Sequence, residues 1–302
     1  MSICKNIIIR ILGNDISTIH SNTQTYSNLS FTIINEHNFE NTDKLYLLNR
    51  IIDVHTRDTI IELLNKHSIS YIEIPFDYNE FKLIPKLDNS VKNICEDILI
   101  SSKNINPDTY DNLSRGLCKH RLYIMNINAA RNYCIDFGKT HGYIWTFVLD
   151  SNNFFTYEHY NNIIKNINPD TEYISIPQIR LSDKQYTNDI ILSSPELLDE
   201  FGVYEHQLAF KNTSMLKFNE QLPYGSANKA EFLNALGVPG QWSRWGLDLR
   251  RLDIEQRNFD STCYQTLSKI IRLSPGTSNN NINTNWINRM LGTYLIIKQL
   301  NP

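Results

Sequence analysis

The chain has 302 residues, 41% of them hydrophobic and 20% charged, with 29 Lys and Arg against 32 Asp and Glu for a formal net charge of -3. This balance suits one folded α/β body or a core with a lobe, excludes extended disorder as the dominant state, and denies the large positive field that non-specific nucleic-acid binding requires. The five cysteines (Cys4, Cys95, Cys118, Cys134 and Cys263) form no C-x-x-C pair, the apolar start is too short for a signal-peptide core, and no run approaches the roughly 18 apolar residues of a membrane helix, so a cytoplasmic protein is expected.

Short apolar runs at 6–12, 30–35, 44–49 and 70–75 predict strands, and residues 57–67 place Ile60, Ile61, Leu63 and Leu64 on one face of a crossover helix. Alternation of this kind predicts β/α units around a largely parallel sheet. A long helix is expected from about Leu117 to Gly138, where Leu122, Met125, Ala129, Cys134 and Phe137 recur at helical intervals. The nearly continuous apolar run 143–149 then reads as a strand buried on both faces, ending abruptly at Asp150-Ser151-Asn152-Asn153. Further on, strands are expected at 172–176 and 206–210, a helix at 229–236 ending at Gly237, and a closing helix at 285–300. The stretch 237–251, with two Trp and three Arg, reads as an ordered loop, and 274–283 as a polar one. The expected organisation is a single domain with a nucleotide-binding half over 1–156 and an acceptor-side half over 157–302.

No G-x-G-x-x-G, P-loop or H-E-x-x-H motif is present, which disfavours a Rossmann dehydrogenase or a P-loop enzyme. The informative pair is Asn128-Ala-Ala-Arg-Asn132 on a helix followed by Leu149-Asp-Ser-Asn-Asn153 at a strand end. Open α/β sheets bind ligands just beyond the carboxyl ends of their strands. A diphosphate arriving there needs cations, and Asp150 with Asn152 could hold Mg²⁺ or Mn²⁺ through oxygen ligands while Arg131 offers a planar fork to phosphate. A turn at Asp150 and a solvated Arg131 would explain the same spacing.

These two segments resemble the A-R-N and D-x-D motifs of family 2-like GT-A glycosyltransferases. The opening strand, the runs at 30–35 and 44–53, and the segments His206 to Lys211 and Phe218 to Leu222 resemble the same family in the same order. The resemblance covers roughly residues 5–240 with gaps. It implies a GT-A-like, Rossmann-type, mostly parallel sheet flanked by helices, with a divalent cation held on a nucleotide-sugar diphosphate by the segment Asp150, Ser151 and Asn152. It also implies that Arg131 and Asn132 lie beside the nucleotide, and that Arg10, Asn49 and Asp53, at or just after the early strands, contact base and ribose. A nucleotide sugar and a glycan acceptor are the implied partners.

Two departures stand out. The second acid of D-x-D is Asn152, which weakens a metal site. Where inverting members carry an acidic pair that deprotonates the acceptor, this chain reads Asn228-Lys229. The candidate bases are therefore Asp248, in the Trp- and Arg-rich loop, Glu231, two residues beyond Lys229, and Glu205. A sugar nucleotidyltransferase and a non-catalytic nucleotide- or glycan-binding protein derived from a transferase are the rival readings. The histidines show no ligand spacing among themselves.

Overall fold

The computed structural model describes residues 5–19, 24–101, 105–181, 188–200, 205–226, 228–242, 249–250, 252–259, 263–273 and 282–301. In chain order the strands are β1 (Asn6–Leu12), β2 (Thr42–Asn49), β3 (Ser70–Ile74), β4 (Trp145–Asp150), β5 (Asn153–Phe154), β6 (Tyr173–Ile176), β7 (Gln178–Arg180), β8 (Gln207–Lys211), β9 (Tyr264–Thr266) and β10 (Ile270–Arg272). The helices are α1 (Gln24–Asn35), α2 (Val54–Lys66), α3 (Tyr78–Lys82), α4 (Asn89–Ser101), α5 (Pro107–Gly116), α6 (Cys118–Met125), α7 (Ile127–Thr140), α8 (Tyr157–Lys165), α9 (Ile190–Ser193), α10 (Ala230–Ala235) and α11 (Ile282–Leu300).

Seven strands form the main sheet in the order β3-β2-β1-β4-β8-β6-β9. The pairs β1–β2, β1–β4, β2–β3 and β6–β9 are parallel, while β8 runs antiparallel to both β4 and β6. This is the mostly parallel α/β sheet flanked by helices that the sequence predicts. A second sheet of three strands, ordered β5-β10-β7, stands beside it.

The buried run NIIIRIL of β1 shows how side-chain alternation builds two faces from one strand. Ile7, Ile9 and Ile11 join Leu45, Leu47, Val148, Leu208 and Phe210 on the face covered by α7 and α10. Ile8 turns to the opposite face, against Phe147, Leu149 and α8, and Leu12 meets Leu29 of α1 and Leu64 of α2. Both faces are thus sealed, as parallel sheets require. A further cluster lies beyond the sheet, where Met290, Leu291, Tyr294 and Ile297 of α11 pack on α4, α5 and α6.

Two predicted elements differ. Residues 30–35 complete α1 and form no strand, because the buried positions Gln24, Asn28, Leu29 and Thr32 follow a helical face that starts ahead of the apolar run. The single helix expected over 117–138 is two, α6 and α7, broken at Asn126, whose backbone adopts φ +43. Asparagine is among the few residues that enter this left-handed region readily.

Candidate functional site

The carboxyl ends of β1, β2 and β4 finish together, with Ile11 in register with Asp150 across the β1–β4 pair. Because β8 is antiparallel, it brings its amino-terminal residue, Gln207, and the preceding Glu205 and His206 to the same edge. A cavity of 660 Å³ opens there, lined by the segments Gly13 to Asp15 and Asp150 to Asn152, by Asn49 and Arg131, and by residues from the second sheet and α11. That volume lies in the range of small-molecule and cofactor sites.

Asp150 is the centre of charge. One carboxylate oxygen accepts from Nη2 of Arg131 at 2.9 Å, and the other accepts from Nζ of Lys229 at 2.9 Å and from Nε2 of Gln207 at 3.1 Å. Both cations are buried, with Arg131 5% and Lys229 2% exposed, whereas Asp150 keeps 31% of its side chain open. Burial works to raise the Asp150 carboxyl, but Lys229 and Arg131 outweigh it and hold the group well below the usual carboxylate range. Burial lowers Lys229, opposed by the charges of Asp150 and Glu205. Glu205 sits 3.9 Å from Lys229 and 3.2 Å from Arg180. Burial raises this carboxyl too, yet the neighbouring Lys229, Arg180 and Arg272 leave it below its ordinary value.

The helical motif 128–132 aims this cluster. Asn128 accepts from Nη1 of Arg131 and donates to the carbonyls of Asn219 and Asn228, fixing the guanidinium and the approach to Lys229 together. Asn132 exchanges hydrogen bonds with both backbone groups of Phe218 and donates to Glu220. It is a strut of the α7 face and does not line the cavity, contrary to its expected nucleotide contact.

Other predicted site residues also fall elsewhere. Arg10 is fully buried behind the site, paired with Glu36 and donating through Nε to the carbonyl of Asn153 at 2.9 Å. Side-chain alternation turns it into the interior, where it braces the turn after Asp150. Asp53 caps α2 by accepting from the Thr56 amide and sits outside the cavity. Asn49 does line the cavity, with its amide donating to the carbonyl of Met125 and accepting from Asn126. Glu231 is buried against Arg257 through two bonds of 2.7 Å and does not line the cavity, so its place two residues beyond Lys229 in sequence does not bring it there. Asp248 and Trp245 lie outside the described residues. Trp242 donates to Val238, meets the His206 ring edge-on and lines the cavity.

The oxygen set expected for Mg²⁺ or Mn²⁺ does not fit a divalent cation. Both Asp150 oxygens already accept from protein donors, the second position is the amide Asn152, and two cations stand within hydrogen-bond distance. A dication placed about 4 Å from each would meet repulsion on the order of 8 kcal/mol per cation at an effective dielectric of 20. A single carboxylate about 2.1 Å away returns about 16 kcal/mol on the same scale, which the two cations together cancel, so the side chains present no net attraction to a dication. Among the described residues no three His, Cys, Asp or Glu side chains cluster to hold a metal.

Arg180 and Arg272 belong to the site although no motif in the sequence points to them. Both line the cavity, and they are register partners in parallel strands β7 and β10. The tripeptide Ile-Arg-Leu occurs at 179–181 and again at 271–273, and this repeat is the one local signal that links the pair.

No protein-family model and no curated protein matches the sequence. Among solved structures, the chain is similar to glucosyl-3-phosphoglycerate synthase of M. tuberculosis, at 9% identity and a TM-score of 0.34 over 97% of this chain and 80% of that one. It is also similar to 4-diphosphocytidyl-2C-methyl-D-erythritol synthase of Anaerococcus prevotii, at 8% identity and a TM-score of 0.28 over 95% and 96%. A mannosyltransferase of S. cerevisiae aligns at 12% identity and a TM-score of 0.30 over 87% of this chain and 68% of that one. Likeness at this level does not bear on activity. Among the described residues no helix is long and apolar enough to cross a membrane.

Proposed function

We propose that the chain is a GT-A type glycosyltransferase that moves a sugar from a nucleoside diphosphate sugar to a hydroxyl of a glycan or another acceptor. The observation that carries this reading is the Arg131–Asp150–Lys229 cluster at the carboxyl end of a buried strand, open to a cavity of 660 Å³. Base and ribose would lie against Gly13, Asp15, Thr25 and Asn28, and the diphosphate over Asp150. Charge developing on the departing phosphate would be met by fixed cations in a partly dry site, where preorganised electrostatics are most effective.

Glu205 is the acid best placed to take the acceptor proton, because it lines the cavity and is ionised at neutral pH. A phosphate arriving beside Arg180 and Arg272 would share their charge and make Glu205 more basic. In balance, the acceptor oxygen bonds to the anomeric carbon, the bond from that carbon to the phosphate oxygen breaks, and Glu205 holds the released proton. Glu205→Gln should lower transfer at least about a hundredfold while donor affinity is kept or tightened, since Arg180 loses a competing carboxylate. Unchanged transfer would remove Glu205 from this role.

A thermal-shift panel of UDP, GDP, CDP and their sugars tests the reading as a whole. A native-state ligand at a hundredfold excess over its Kd stabilises by about 2.7 kcal/mol. Absence of a shift with every nucleotide would sink the proposal. The pairing of Glu205 with Arg180 and of Glu231 with Arg257 favours a second reading, a binding protein without turnover. Nucleotide binding without donor hydrolysis or transfer would select it.

A further inference from the structure

We infer that this site holds the diphosphate of its ligand without a divalent metal, clamped between the Arg180–Arg272 pair and the net positive cluster that Lys229 and Arg131 form around the Asp150 carboxylate. The inference rests on the proposed nucleotide-sugar reading for the identity of the ligand, and on the cluster geometry for the rest.

A carboxylate with one bound dication presents a net charge of +1. Asp150 with Lys229 and Arg131 presents the same +1, built from side chains and fixed by bonds of 2.9 Å to opposite oxygens, and the site remains net positive when Glu205, 3.9 Å from Lys229, is counted with Arg180 and Arg272. Lys229 is buried beneath the cavity, so its charge is not screened by water as a surface lysine's would be.

The opposite wall of the cavity carries two further cations. Arg272 pairs with Arg180 on one side and with Asn153 on the other, so the small sheet sets two guanidinium groups beside the turn that follows Asp150. Register partners on adjacent strands stand about 4.8 Å apart. That spacing lets each planar fork address one phosphate of a diphosphate. The bond from the Leu273 amide to the Asn152 carbonyl, at 2.8 Å, ties this wall to the Asp150 turn.

Calorimetry tests the clamp on the whole chain, with inorganic pyrophosphate and with UDP, GDP, CDP, ADP and dTDP, each in EDTA and again with Mg²⁺ or Mn²⁺. The expected result is binding in EDTA that metal tightens by less than about threefold, and a loss of about tenfold or more in Arg272→Gln and Arg180→Gln. Circular dichroism of the two variants should match the parent, since both side chains are at the cavity wall. Pyrophosphate bound in EDTA with no nucleotide bound under any condition would keep the clamp and end the nucleotide-sugar reading. Nucleotides bound only with metal would keep that reading and overturn the clamp. No anion bound in EDTA, or parental affinity in both variants, overturns the clamp as well.

Discussion

Replacing Asp150 by Ala leaves the Lys229 ammonium and the Arg131 guanidinium side by side in a buried pocket without their shared counter-ion. Truncating one partner of a buried pair costs about 3–5 kcal/mol, and the partial exposure of Asp150 places this change near the lower end. Urea denaturation of Asp150→Ala should therefore show a loss of about 3 kcal/mol alongside lost ligand binding; a loss below about 1 kcal/mol would mean that water already screens the cluster. His206 supplies a pH signature. Burial first, then the charge of Lys229, pushes its imidazole down to about 4, while Nδ1 shares a 2.6 Å hydrogen bond with Ser175. The folded pKa is depressed, so the unfolded chain takes the proton first. The stability contributed is complete above the ordinary value near 6.5 and is lost as the pH falls from there through about 4. The swing is on the order of 3 kcal/mol. Urea midpoints measured between pH 7 and pH 4 should fall less steeply in His206→Gln, and equal slopes would assign the acid sensitivity to other groups.

At the scale of elements, the break between α6 and α7 aims Arg131. Asn126 holds φ +43, and its side chain donates to Asn49, which in turn donates to the Met125 carbonyl, so the end of β2 is bolted to the corner. Asn126→Ala loses that bond and puts in left-handed backbone a residue that tolerates it less well than asparagine, at a combined cost of about 2 kcal/mol. Asn126→Gly should cost less, because glycine accepts this backbone freely. Equal losses in the two variants, read from chemical denaturation, would show that the hydrogen bond and not the backbone decides. The sequence pattern of apolar residues from Leu122 to Phe137 runs smoothly across this corner, since a single left-handed residue changes direction without interrupting local periodicity. The run at 30–35 misleads for the opposite reason: it is too short to separate a strand from the end of a helix, and only the packing of Leu29 and Thr32 against the sheet decides.

For the molecule as a whole, α11 closes the cavity from the far end of the chain. Trp286 and Arg289 line the cavity, Thr18 donates to the Asn288 carbonyl at 2.5 Å, and Gly292 lies so close to the loop after β1 that a Cβ there would collide with the side chains of Ile16 and Thr18. Gly292→Ala should push the helix off that loop, costing about 1–3 kcal/mol as an overpacked contact does. Because both residues at the wall move with it, any anion that shifts the thermal midpoint of the parent should bind more weakly to this variant. A stability loss with unchanged affinity would show that the cavity tolerates displacement of α11.

The residues themselves determined the mostly parallel sheet, the crossover helix α2 and the position of Asp150 at the end of a buried strand, because period-two and period-3.6 burial is a local property of the chain. Only tertiary structure decided what Asp150 does. Its partners Lys229, Gln207 and Arg131 come from three distant segments, and whether a carboxylate meets a metal or two ammonium-like charges depends on which side chains the fold brings within about 3 Å of it. The same reason separates Glu205 from Glu231: sequence order sets Glu231 two residues from Lys229, but those two helical steps turn it to the other side, toward Arg257, while an antiparallel strand from elsewhere in the chain delivers Glu205 to the cavity.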